Sequence, residues 1–369
     1  MKVLHVITRL NTGGPAVFLD HLTNAMSNME CQSSIVYGFC EDNESDYADN
    51  HKFSGELIKI KSLHRSLNLI DDLKAFFQIR KAIIKINPDL VNTHTSKGGV
   101  LGRLAAKSVN RKLPVIHTFH GHLIYGYFAI YKSLIFSFIE KFMSKFTDSA
   151  IAVTSETKKS ITNLGIGKKL HWRVIPIGIP TTNDPVQQLS DNASLKILWV
   201  GRFTNIKDPF YAIDVIENIL KEGISNIELK MVGDGELFEE VKNAANELPI
   251  TFTGLMRNPF ENIKDFDLLM LSSKNEGLPL VILEAANHGR ATISRNVGGV
   301  GEFIKENQTG YLISGEPSQM AKKLIDISKD KKILQVIGIS ANKLLKNDFS
   351  VEKMSSNYLS LYNELIIRS

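Results

Sequence analysis

The chain has 369 residues, 43% hydrophobic and 22% charged, with a formal net charge of +5, enough for two domains with separate cores and unlike a disordered chain. No apolar run reaches the roughly 18 residues of a spanning helix, and two cysteines, Cys31 and Cys40, exclude a disulfide framework and a cysteine zinc site. Residues 1–178 carry 23 Lys and Arg against 14 Asp and Glu, the remainder 21 against 25; an anionic partner is expected on the N-terminal side, but not nucleic acid, whose recognition signatures are missing.

The opening MKVLHVITRL reads as a strand and lacks the layout of a signal peptide, so a cytoplasmic location is expected. The turn NTGGPA (11–16) follows. Gly13 and Gly14 allow close approach of backbone to a ligand, and Pro15 suits the first turn of the next helix. That helix start offers N–H groups to an anion or a sugar hydroxyl, although a plain tight turn explains the residues equally well. A helical pattern runs over 15–29, then strands SSIVYGF and LIKIK, a helix over 71–86, and strands LVNTHT and VIHTFH. His94 ends the first of this last pair. His117, His120 and His122 crowd the end of the second, without the helical i, i+4 spacing that a zinc site would favour. Strand alternation puts His117 and His120 on opposite faces, and His120, before Gly121, is the better candidate for a ligand-facing residue. Residues 124–146 are aromatic and aliphatic, interrupted by Lys132, Lys141 and Lys145. They suit either an anionic membrane surface or a core helix. Strands SAIAVT and RVIPIG complete the first set.

The stretch 175–194, with Pro176, Pro180 and Pro185, has the composition of a linker. A second set of strands follows: KILWVGRF, IELKMVG, ITFTG, LLMLSS, ATISRN and GYLIS, with helices over 209–222 and 280–288. The fold class is therefore α/β, with two doubly wound, Rossmann-like domains. The expected division is 1–179, 180–350, and a last helix in 351–369 packing back toward the N-terminal domain. Ligands in such sheets bind beyond the carboxyl ends of the strands. There the second half places Gly201 and Arg202, with Lys207 five residues on, a pair of cations suited to a diphosphate. Farther on, LSSKNEGLPLVILEAANHG puts Glu276 in a loop and Glu284 about one turn into the following helix. The amides from Gly277 through Leu278 and Leu280 to Val281 start that helix, interrupted by Pro279. Glu276 is a candidate to bind sugar hydroxyls and Glu284 to bind a ribose. The Asp-Phe-Asp at 265–267 leads into a strand and reads as structural.

Glu276 and Glu284, in EGLPLVILE, resemble the E-x7-E motif of the retaining glycosyltransferases of family four, which have the GT-B fold of two Rossmann-like domains facing across a cleft. The order of GGPA, HTFHG, VGRF with its lysine, VGDGE (232–236) and VGGVGE (297–302) is similar to that family along nearly the whole chain. The resemblance implies an acceptor-binding N-terminal domain and a C-terminal domain that binds a nucleotide-sugar. It implies that Arg202 and Lys207 contact the diphosphate, Glu276 the donor sugar and Glu284 the ribose. His120 would lie near the transferred sugar and Gly14 near the donor phosphate. Leu255 to Asn258, including Arg257, would lie by the base. No metal or other cofactor is expected, the nucleotide-sugar being a co-substrate. DLVNTHTSKGGVLGRLAAK looks like members that build bacterial surface polysaccharides on lipid-linked acceptors at the inner face of the cell membrane. The chain departs from the family where Gly289-Arg290-Ala291 replaces a common Gly-x-Pro. Two alternatives remain at this point: a nucleotide-sugar 2-epimerase, or a non-catalytic nucleotide-sugar-binding subunit.

Overall fold

The computed structural model describes residues 1–41, 44–121, 130–182, 186–189, 194–256, 258–262 and 265–368, without the side chains of 130–133. It divides into two compact units. The first holds the described residues from Met1 to Pro180 together with those from Ser350 on, and the second spans Thr181–Phe349. The outer bounds differ by one residue from the expected 180–350, because Ile179 pairs in parallel with Ser350 and ties both chain segments into the first unit.

The first unit runs β1 Lys2–Arg9, α1 Gly14–Ser27, β2 Gln32–Gly38, β3 Glu56–Lys59, α2 Leu69–Ile86, β4 Leu90–His94, α3 Ser96–Val109, β5 Val115–Phe119, α4 Ile130–Met143, β6 Ser149–Ala152, α5 Ser155–Asn163 and β7 His171–Val174. Its seven strands are parallel, in the order β3-β2-β1-β4-β5-β6-β7. Both faces are covered, which is why β4 and β5 are buried at every position. Leu4 and Val6 of β1 join Ala75, Ile79 and Ile83 of α2 and Ala105 and Ala106 of α3 in one core. By alternation His5 faces the other side of the sheet. α1 lies on that side, where its Phe18 meets His94 and, at a centroid distance of 5.7 Å, Tyr358. Local signals set the helix ends: Asn68 caps α2 by accepting from the Ile70 and Asp71 amides, and Asn87 closes it in the left-handed region.

The second unit runs β8 Leu195–Val200, α6 Pro209–Lys221, β9 Ile227–Val232, α7 Phe238–Ala244, β10 Ile250–Phe252, β11 Leu268–Leu271, α8 Leu280–Asn287, β12 Ala291–Arg295, α9 Val300–Phe303, β13 Gly310–Ile313, α10 Pro317–Lys329 and α11 Ile333–Asp348. Its six strands are parallel, ordered β10-β9-β8-β11-β12-β13. The order reverses direction between β8 and β11, the switch point at which ligands collect in such sheets. The last helix, α12 Val351–Arg368, belongs to the first unit and packs on α1. Its Tyr362 hydroxyl accepts from Asn92 Nδ2 of β4 at 2.7 Å.

Candidate functional site

β8 and β11 are paired neighbours, with Trp199 opposite Met270. Trp199 Nε1 donates to Ser272 Oγ at 2.8 Å, and Ser272 Oγ donates to the Lys207 carbonyl at 2.8 Å. The loop after β8 is thus tied to the end of β11, and Lys207 is brought over Glu276. Lys207 Nζ lies 2.5 Å from Glu276 Oε1, which also accepts from Ser273 Oγ at 2.6 Å. Gly298 braces this loop from β12: its φ is +52°, and a Cβ there would stand 1.9 Å from the Glu276 carbonyl oxygen. The neighbouring Gly299 amide donates to that oxygen at 3.1 Å.

Arg202 follows β8 directly, is exposed, and holds no ion pair among the described residues. Gly201 is fixed by its amide bond to Val232 and by a Gly233 with φ +137°, where a Cβ would meet the Gly201 carbonyl at 1.9 Å. Gly233 is dictated by two backbones passing too close for a side chain, whereas a Cβ at Gly201 would meet only the Trp199 ring, at 3.1 Å. Asp208 stands at φ +50° before Pro209, and its carboxylate pairs with Arg295 at 2.9 Å and Lys274 at 3.4 Å. The Arg295 guanidinium also rests over the Tyr211 ring, 4.5 Å from its centre. Sequence reasoning singled out neither Asp208, Arg295, Lys274 nor Ser273. The loops beyond these strand ends therefore hold Arg202, Lys207, Lys274 and Arg295 against Asp208 and Glu276, a positive balance that suits an anion.

α8 begins at Leu280 after the buried Leu278 and Pro279 and the half-buried Gly277. No side chain caps it, so its first amides are left for water or a ligand. Glu284 lies one turn in, and burial pushes its carboxyl up to about 7. Leu255, past β10 and Gly254, is 75% exposed, while Arg257 falls outside the described residues. The structure brings Lys207 and Glu276 into contact and sets Gly201, Arg202, Glu284 and the α8 start at the same pair of strand ends. Asp267 accepts from the Lys196 amide and pairs with Lys331, a structural role. Arg290 is buried and donates to the Phe266 and Gln187 carbonyls at 3.1 and 2.9 Å, so it ties the chain entering the second unit to the strand region.

In the first unit Gly13 precedes α1, and a Cβ at Gly14 would meet nothing within 4 Å. Packing therefore does not require that glycine, and the space above it is open. His117 bonds Thr93 on the α3 side of β5, under Gly99. His120 lies on the opposite side: His94 Nδ1 and His120 Nε2 are 3.0 Å apart, and Phe18 presents its edge at 4.8 Å. His122 falls outside the described residues. His5, not singled out from sequence, meets His94 Nε2 through its Nδ1 at 3.1 Å. Its signal was a histidine inside an otherwise apolar strand. Burial lowers His5 to about 3 and His120 to about 4, and holds His94 well below the ordinary histidine range. Among the described residues no three His, Cys, Asp or Glu side chains converge as a metal would require. A cavity of about 610 Å³ lined by Ser27, Glu30, Gln32 and Ser54 opens at the amino end of β2, and shares none of these residues.

A family model described as Glycosyltransferase Family 4 matches residues 12–183, and one described as Glycosyl transferases group 1 matches residues 194–330. The UDP-Gal:alpha-D-GlcNAc-diphosphoundecaprenol alpha-1,3-galactosyltransferase of Escherichia coli is 28% identical over 341 residues, 88% of this chain and 87% of its own. A Campylobacter jejuni alpha-1,4-N-acetyl-D-galactosaminyltransferase, named for a diNAcBac-PP-undecaprenol-linked acceptor, is 24% identical over 99% of each chain. Among solved structures, a glycosyltransferase from Rickettsia africae superposes with a TM-score of 0.78 at 20% identity, over 100% of this chain and 99% of its own. Anabaena HepE in complex with UDP-glucose does so with a TM-score of 0.77 at 17% identity, over 99% and 100%.

Proposed function

The chain belongs to the family-four, group 1 glycosyltransferases of the GT-B fold, and from that premise we propose that it moves a sugar from a UDP-sugar to a hydroxyl of a lipid-linked saccharide, with the anomeric configuration retained. The observation that carries this reading is the Lys207–Glu276 pair at the switch point, set among an excess of cations. The donor diphosphate lies against Arg202, Lys207 and the start of α8. As the bond from the anomeric carbon to the phosphate oxygen breaks, negative charge grows on the departing diphosphate, and fixed cations stabilise that transition state more than the ground state. A diphosphate oxygen takes the acceptor's proton while the acceptor oxygen bonds the anomeric carbon. Glu276 holds sugar hydroxyls, Glu284 the ribose, and Leu255 borders the base; in the first unit the Gly13–Gly14 turn leaves open space for a ligand. His120 of the first unit is assigned to a sugar oxygen. No step calls on a metal.

The relatives' names support a transferase over the epimerase and the binding subunit. Their undecaprenol-linked acceptors support a lipid-linked acceptor here, and so an enzyme working at the cytoplasmic face of the membrane. Among the described residues no helix is long and apolar enough to cross a membrane. α4 exposes Leu134, Ile135, Phe138 and Phe142 beside Lys141 and Lys145, and α2 exposes Leu69, Ile70, Leu73 and Phe77. Apolar helix faces edged with lysine suit the surface of an anionic bilayer. α2 was expected from sequence as a helix over 71–86, but not as an apolar surface.

The deciding assay incubates the protein with a UDP-sugar, with and without an undecaprenyl-diphosphate-linked saccharide. UDP release that needs the acceptor, with an α-linked product from an α-linked donor, is expected. An isomerised nucleotide-sugar formed without acceptor would instead establish the epimerase.

A further inference from the structure

The three histidines under α1 form a line. His5 Nδ1 lies 3.1 Å from His94 Nε2, and His94 Nδ1 lies 3.0 Å from His120 Nε2. The rings of His5 and His94 are near parallel, with centroids 5.4 Å apart, and those of His94 and His120 are 5.2 Å apart. Each contact joins two ring nitrogens, so one must be an N–H and the other a lone pair. The two end atoms, His5 Nε2 and His120 Nδ1, are buried and have no hydrogen-bond partner.

His94 is held firmly between its neighbours. Thr95, the next residue, has φ +58° and ψ 169°, a conformation costly for a β-branched residue, on the order of 1–3 kcal/mol. Its hydroxyl donates to the His94 carbonyl at 2.6 Å and lies 2.7 Å from the Thr8 hydroxyl. Thr8 Oγ1 in turn accepts from the Gly98 amide at 2.9 Å. Strain kept in place by such a network at a strand end points to a position that matters for function.

We propose that His94 and His5 are positioning residues that hold His120 in its Nδ1–H tautomer, so that His120 presents a hydrogen-bond donor from Nδ1 to a ligand oxygen. Only two proton arrangements satisfy both contacts if the rings are neutral. In one, His5 donates from Nδ1, His94 accepts at Nε2 and donates from Nδ1, and His120 accepts at Nε2 and keeps its proton on Nδ1. In the other every donor reverses, and His5 is left with an Nε2–H pointing at no acceptor. His5 is fully buried, whereas His120 is half-buried at the end of β5. Either arrangement leaves one end N–H orphaned, the more costly defect; both end atoms are buried, but only His120 belongs to a half-buried residue, where a small turn of the ring admits water or a ligand oxygen. The first arrangement is therefore favoured, and a ligand oxygen at Nδ1 strengthens it. Burial and mutual repulsion keep the rings neutral at pH 7, so the line carries polarity and not charge, and no net proton moves. The consequence for sugar transfer rests on the reading of His120 given under Proposed function; the tautomer does not.

The test is a long-range ¹H–¹⁵N correlation spectrum of the full-length, ¹⁵N-labelled protein at neutral pH, with His5, His94 and His120 assigned through single substitutions. All three are expected as neutral Nδ1–H tautomers, the opposite of the Nε2–H form that free histidine favours. An Nε2–H tautomer or an imidazolium at any of the three overturns the proposal, whatever the enzyme's activity. The variants His5→Asn, which keeps an amide donor near Nδ1, and His5→Phe, which does not, then read the coupling. His5→Phe is expected to move His120 toward Nε2–H and to lower kcat by about tenfold, with the donor KM little changed, and His5→Asn to restore most of both. An unmoved His120 tautomer in folded His5→Phe overturns the coupling. A moved tautomer with unchanged kcat keeps the relay and overturns the assignment of His120 to the sugar.

Discussion

Lys207 and Glu276 neutralise each other until a ligand arrives, so neither can be assigned by charge alone. On the proposed function, a bound diphosphate would give the ammonium a second anion, and Glu276 would turn one oxygen to a sugar hydroxyl while Ser273 keeps the other. Arg202→Ala and Lys207→Ala, each in folded protein, are expected to lower kcat by about 10²-fold, the scale of a lost contact to transition-state charge; near-normal turnover in both would remove them from the mechanism. Glu284 makes a pH prediction. Burial raises its folded pKa from 4.5 to about 7, so its contribution to the stability of the ligand-free protein is fully present below about 4.5 and lost as pH rises through about 7. A carboxylate accepts from two ribose hydroxyls with both oxygens, while a carboxylic acid has one fewer acceptor. Donor affinity is therefore expected to strengthen as pH rises through 7, by at most about tenfold per unit below it. Calorimetric titration of the donor between pH 5.5 and 8.5 reads this, and Glu284→Gln should flatten the profile.

At the level of elements, glycines fix how the loops meet. The segment after β12 passes under the Glu276 loop, and Gly298 is the residue that lets it do so. Gly298→Ala adds a Cβ at φ +52° that must displace the Glu276 carbonyl. A loss of about 1–3 kcal/mol is expected from the backbone strain alone, with a lowered Tm and a weakened donor. A Tm and donor affinity equal to the parent's would mean that the loop gives way freely. The VGGVGE stretch thus supports the loop through Gly298, and the EGLPLVILE stretch carries Glu276 and Glu284. Sequence alone does not distinguish the two roles; the lack of room for a side chain at Gly298, against the Glu276 carbonyl, does.

On the scale of the whole chain, the two ends meet in one unit. Asn92 donates to the Tyr362 hydroxyl and accepts from Thr118, so a buried polar cluster joins β4, β5 and α12 across 270 residues of sequence. Deleting the chain after Phe349 is expected to abolish cooperative unfolding of the first unit and not merely trim a tail, because Tyr358, Leu361 and Tyr362 are all buried. The milder Tyr362→Phe leaves Asn92 Nδ2 unpaired and should cost about 1–3 kcal/mol, read by chemical denaturation. The strands were legible in the linear sequence because parallel strands covered on both faces must be nearly continuous apolar runs; twelve of the thirteen expected runs lie largely on strands, while RVIPIG lends only Arg173 and Val174 to β7, which His171 and Trp172 begin. The strand-end residues Arg202, Lys207, Glu276 and Glu284 were legible for a related reason, since a chain leaving such a run has to emerge at a sheet edge. Which of them touch was not, because contact depends on the order of strands: β8 and β11 are neighbours although two strands intervene in sequence. The same holds for His5, His94 and His120, separated by 89 and 26 residues. They share one side of a sheet only because the register and period-two alternation of β1 and β4 coincide with the exit of the chain just past β5, and no local pattern carries that information.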